Sequence, residues 1–214
     1  MDISLIDSFK ALLHDSVGLI TIFNPLAAAA IMVASSPELN REDARTIARK
    51  ASLTVLVGSL LTVLLGHHIF MFFGINTASI MVIGGIVLMM MALSMIQGRI
   101  SSARHSPEET HAAKEKEDIS VIPMGIPVIF GPGAISTLMV FHADSSGILG
   151  SLILIGAVLI AVAAVYIALI YADYLTNALG LHGMKIMTRV MGLVLGAIAV
   201  QFVIGGTKSL WQSL

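Results

Sequence analysis

Asn24-Pro25 and Gly131-Pro132 each interrupt an apolar run long enough to cross a membrane, and the two prolines stand 107 residues apart in a chain of 214. Their surroundings repeat as well. Ile22-Phe23 precedes the first and Ile129-Phe130 the second, and Ile31-Met32-Val33 is echoed by Leu138-Met139-Val140. Proline removes one backbone N–H and displaces the carbonyl one turn earlier. The residue before it is pushed out of helical geometry, and Gly131 and Gly133 add backbone freedom. Unpaired backbone groups are costly in hydrocarbon and persist where protein or a water-filled cavity satisfies them. A half-helix N-terminus suits a carboxylate, and a half-helix C-terminus offers carbonyls to a cation or an ammonium group. A facing pair of such ends matches a zwitterion such as an amino acid.

The polar residues beside the breaks are Thr21, Asn24, Ser136 and Thr137, with Ser94 and Gln201 at repeat-equivalent positions of the third and sixth spans. Together with Pro25, Gly131, Pro132 and Gly133 they form the candidate substrate site. Two bland readings compete. Each proline could be an ordinary kink satisfied by a neighbouring Ser or Thr, and Gln201 could simply bridge helices. His67, His68 and His142 fall near the outer ends of their spans and read as interfacial, as does Arg189 at the opposite face. No Asp or Glu lies at the middle of any span, which weakens carboxylate-based proton coupling. Sodium coupling, histidine coupling and facilitated passage stay open. There is no His-Glu-x-x-His, no Gly-x-Ser-x-Gly elbow and no mid-membrane carboxylate pair, so an enzyme is disfavoured, and no metal or cofactor is expected.

The elements that must position these residues follow from composition. The chain is 57% hydrophobic and 12% charged, against roughly 25% charged in a soluble domain, so apolar side chains must face lipid. Net charge is −1, which leaves no polycation for nucleic acid. There is no cysteine, hence no disulfide framework and no thiolate chemistry. Apolar runs predict six spans, at 16–35, 51–73, 79–98, 119–142, 148–172 and 190–207. Residues 1–15 read as an interfacial lead-in or an extension of the first helix, and 36–50, 99–118 and 173–189 as polar stretches between spans. These three hold ten of the twelve Lys and Arg, with only Lys10 and Lys208 elsewhere. The positive-inside rule then puts them in the cytoplasm and both termini outside.

The halves match beyond the proline motif. Gly85 maps to Gly192, Ala92 to Ala199 and Gly98 to Gly205 at the same offset, and Gly74-Ile75 to Gly180-Leu181 one residue short of it. Three spans per half is an odd number, so the second half enters from the opposite side. The expected fold is all-α: six transmembrane helices as an inverted 3+3 repeat with helices 1 and 4 broken, the arrangement of many secondary transporters. Residues 1–98 form the first repeat, 99–118 a cytoplasmic linker and 119–214 the second repeat.

Several blocks resemble one family. Asn24-Pro25-Leu26, Phe73-Gly74-Ile75, Gly84-Gly85, Ala92-Leu93-x-Met95, Pro123-x-x-x-Pro127 leading into Gly131-Pro132-Gly133-Ala134-Ile135, and Arg189-x-x-Gly192-Leu193 are similar to the MarC family of bacterial and archaeal six-span membrane proteins. The resemblance covers nearly the whole chain. It implies an inner-membrane protein and, as substrate class, small neutral amino acids. Where the family often follows Asn-Pro-Leu with Gly and then Pro, this chain has Ala27 and Ala30. The leading expectation is a secondary transporter or exporter. A channel-like facilitator and a non-transporting scaffold are the alternatives, and self-association is left open.

Overall fold

The computed structural model describes residues 5–35, 40–98, 125–126, 129–145 and 147–212. Within them the chain forms α1 (Leu5–Phe23), α2 (Pro25–Ser35), α3 (Arg41–Phe72), α4 (Thr77–Ile96), α5 (Pro132–Asp144), α6 (Gly147–Ile170) and α7 (Ala172–Gln212), the last with a sharp break at Gly180. No strand occurs among the described residues.

Local chemistry sets the helix ends. Asn40 Oδ1 accepts from the backbone N–H of Glu42 and of Asp43, at 2.9 and 2.8 Å. It thereby caps α3, whose first turn carries two carboxylates suited to a helix N-terminus. The basic residues Arg41 to Lys50, expected in a polar stretch ahead of the second span, are therefore the opening turns of that helix. Residues 173–189 are likewise helical on both sides of Gly180, where a polar stretch was expected. Gly74 (φ 67°) reverses α3 into α4, and Gly180 (φ 61°) makes the break in α7. These are the two glycines aligned in the repeat, and both adopt the left-handed conformation that suits glycine.

Among the described residues, five stretches are long and apolar enough to cross a membrane: Leu5–Ala34, Arg41–Gly66, Thr77–Ile96, Gly147–Ile170 and His182–Gln212. Of the expected fourth span, the described helix is the second half, α5. The linker 99–118, Pro123 and Pro127 lie outside the described residues. Leu19, Leu88, Leu154 and Leu195 are wholly buried between helices, while Leu61, Leu159 and Ile204 point outward. Outward leucines and isoleucines are what a lipid solvent requires.

The most extensive contact is between α4 and α7. It is built on small residues. A Cβ on Gly206 would stand 2.7 Å from the Ala78 carbonyl oxygen, one on Gly85 2.8 Å from that of Ala199, and one on Gly192 3.1 Å from that of Ala92. The pairs 78/206, 85/199 and 92/192 advance by seven residues on one helix as they retreat by seven on the other, so the helices are antiparallel. In a bilayer, where burial from water cannot drive helices together, such backbone approach supplies the van der Waals contact. The short helices pack crosswise: α2 lies on α6 and α7, and α5 lies on α3 and α4.

Candidate functional site

Asn24 is the sole non-glycine residue with positive φ (48°) among the described residues. The expected break is there, and it is one residue wide. Asn24 N–H still donates to Ile20 O at 3.0 Å, and Ala28 N–H to Asn24 O at 3.1 Å. Asparagine tolerates the left-handed region better than other side chains, and here its Oδ1 also accepts from Ala27 N–H at 3.2 Å. It thus caps α2 while ending α1. The residue is 2% exposed. Its remaining donor, Nδ2, reaches Met95 Sδ at 3.5 Å, and a thioether is a weak acceptor. A buried amide donor is therefore held next to the break with little to satisfy it.

The second break uses a different device. Gly131 is extended (φ −106°, ψ −177°), Pro132 starts the helix, and no side chain caps it. The Gly131 carbonyl accepts from Ala134 N–H and Ile135 N–H at 2.9 and 3.2 Å. Upstream, Phe130 N–H donates to Gly125 O at 2.9 Å, a wide turn. The Phe130 ring packs on α3, where a Cβ at Gly58 would come within 2.7 Å of it.

One helix passes both breaks. Met95 of α4 meets Asn24, while Leu88 and Met91 lie against Gly133 and Gly84 lies against Ser136. From Met95 to Met91 or Leu88 is four or seven residues, roughly 6–10 Å along the helix. Asn24, Gly133 and Ser136 are thus gathered along one stripe of α4. Pro25 and Ser94 are half-buried beside it in sequence, and Pro132 is exposed. Thr21 and Thr137 are buried, but each hydroxyl donates to its own helix, to Val17 O at 2.8 Å and Gly133 O at 2.9 Å. Gln201 is exposed on α7 and is not brought to the breaks.

Some polar groups here carried no sequence signal. Ser52 and Ser59, seven residues apart on α3, are buried with hydroxyls that have no hydrogen-bond partner among the described residues. Ser59 is adjacent to Gly58, the seat of Phe130. Met95 could have been marked only as an apolar residue.

Near the C-terminal end of α5, His14 Nδ1 lies 3.1 Å from Asp15 Oδ1, and the His14 ring meets Phe141 at 5.5 Å. Asp144, closing α5, has its carboxyl pushed above the usual carboxylate range by partial desolvation and by the charge of Asp15. His142 is half-buried, with Nδ1 lacking a partner. His68 is exposed, and the His67 side chain lies outside the described residues.

Membrane-length apolar helices joined through glycine and alanine backbones, with a polar break held in the core, define an integral membrane protein. More narrowly, the chain belongs to the MarC family of integral membrane proteins, whose model matches residues 9–211. It is 37% identical to a UPF0056 membrane protein of Pyrococcus abyssi, over 90% of this chain and 92% of that one. It is 32% identical to the UPF0056 membrane protein YvbG of Bacillus subtilis, over 96% of this chain and 98% of that one. It is 26% identical to YhcE of Escherichia coli, over 92% of each. These names give a membrane location and no activity. No solved structure matches.

Proposed function

We propose that this protein is a secondary transporter or exporter of small neutral amino acids, built as an inverted repeat of six spans, with the substrate held between the breaks at Asn24 and Gly131. The observation that carries the reading is Asn24. A buried carboxamide in a left-handed break, with its NH2 group facing only a thioether, is a costly arrangement for structure alone. A substrate carboxylate would satisfy that donor far better than Met95 does.

The repeat is supported by reciprocity. Gly85 meets Ala199 and its repeat mate Gly192 meets Ala92, whose own mate is Ala199. A two-fold operation would exchange the two contacts, as in any isologous interface. The crosswise seating of α2 and α5 obeys the same exchange. Both termini outside follow from the distribution of basic residues, an inner-membrane location from the family resemblance, and both belong to the same proposal.

The test is uptake of labelled alanine, glycine and serine into proteoliposomes, with and without sodium or pH gradients, beside an Asn24→Gly variant. Glycine keeps the left-handed backbone and deletes the amide. Saturable flux that this variant loses while remaining folded supports the site. Flux that fails to saturate points to a channel-like facilitator. Folded, inserted protein with no flux of any neutral amino acid refutes the substrate assignment.

A further inference from the structure

A cavity of about 290 Å³ lies between the α3–α4 turn and the C-terminal end of α5, walled by Asn76, Thr77, Ile80, Met139, His142 and Ala143 among others. Small-molecule sites start at roughly 300 Å³, so it suits a small solute. Its position along α4 links it to the breaks. Thr77 and Ile80 border it, Gly84 meets Ser136, Leu88 and Met91 meet Gly133, and Met95 meets Asn24. These α4 positions step by three or four residues and so share one helix face. On α5, Ser136, Met139 and Ala143 share a face in the same way. The cavity, the Gly84–Ser136 crossing and Asn24 therefore lie in sequence down a single seam.

The crossing is a close contact on that seam. A Cβ on Gly84 would stand 2.4 Å from Ser136 Cβ, so the two helices touch with nothing between them. Above it, the cavity wall mixes Asn76 and Thr77 with apolar Ile80 and Met139. His142 contributes its ring to the same wall. Such a wall offers polar groups to the head of an amino acid and apolar surface to its side chain.

We propose that this cavity is the outer access site for the substrate, separated from the Asn24 break by the Gly84–Ser136 crossing. This rests on the transport reading above. The chain has no cysteine, so single replacements report cleanly. In right-side-out vesicles, Ala143→Cys should react with a charged, membrane-impermeant thiol reagent added outside, and 10-fold or more slowly when saturating alanine is present. In proteoliposomes Ala143→Trp should fill the cavity and cut alanine flux at least 10-fold, whereas Ile148→Trp, on the exposed start of α6, should leave it unchanged. Labelling that is absent or insensitive to alanine, or Ala143→Trp with wild-type flux, overturns the access site while leaving the transport reading in place. Absence of amino acid flux in the wild-type protein overturns both.

Discussion

Replacing Gly84 by alanine tests how closely α4 and α5 are fitted. The added methyl would sit 2.4 Å from Ser136 Cβ and 2.9 Å from Ser136 Oγ. Carbon atoms pack at about 3.5–4.0 Å, so the helices must separate by roughly 1 Å, or α5 must turn. Neither movement is local, because Gly133 on α5 is itself seated against Leu88 and Met91. Overpacking of this kind costs about 1–3 kcal/mol, which in a chain of this size corresponds to a Tm lower by roughly 2–12 °C. Ser136→Gly removes the side chain that clashes. The double variant Gly84→Ala/Ser136→Gly should therefore be more stable than the sum of the single effects, by a coupling energy of about 0.5–3 kcal/mol. Thermal unfolding of the four purified proteins in one detergent gives the cycle. Additive losses, or Gly84→Ala with an unchanged Tm, would refute the crossing as described.

Three other outcomes are expected. Asn24→Ala should be less stable than Asn24→Gly, since both lose the Ala27 cap but only alanine bears a left-handed cost of about 1–2 kcal/mol at φ 48°; equal melting temperatures would contradict the backbone assignment. Gly85→Ala should lower Tm, since the added methyl would stand 2.8 Å from the Ala199 carbonyl oxygen, and an unchanged Tm would contradict the close backbone approach of α4 and α7. Asp144 has a folded-state pKa above its ordinary value of 3.8, so its ionisation weighs against the fold. Its stabilising protonation is complete below the ordinary value and is lost as pH rises through the raised one. Asp144→Asn should then raise Tm at pH 7, with the gain vanishing toward pH 4; a gain that does not change with pH would exclude the charge as its cause.

Much of the architecture was legible in the sequence because lipid imposes simple rules. Uncharged runs located the five membrane-length helices of the described residues, and proline marked the interruption at Asn24 and the start of α5 at Pro132. What the sequence misjudged was polarity near helix ends. Arg41 to Lys50 read as part of a polar stretch because they are charged, although Asn40 followed by Glu42 and Asp43 is a helix start. The repeat aligned Gly85 with Gly192, yet nothing in one chain says that each would meet the other's alanine, since such contacts join residues about a hundred positions apart. At the site, the rule for residues before proline foretold departure from helix but not its direction. Asn24 went left-handed and Gly131 went extended, and only the first left an amide donor facing Met95. Repeat position groups Gln201 with the breaks, and its exposure on α7 shows that a position in an alignment does not fix the side of the helix.

The crosswise seating of the short helices bears on how the protein is made. When the ribosome has produced α4, α2 has no partner of its own: the helices that receive it, α6 and α7, are still untranslated. The slot on α3 and α4 that will receive α5 is equally vacant. The nascent first half thus waits in the bilayer with α2 uncovered, although Asn24 already meets Met95 of α4, and closure comes only when the last helix arrives. Truncation before α7 should leave a chain that inserts but is recognised by membrane quality control as unfinished.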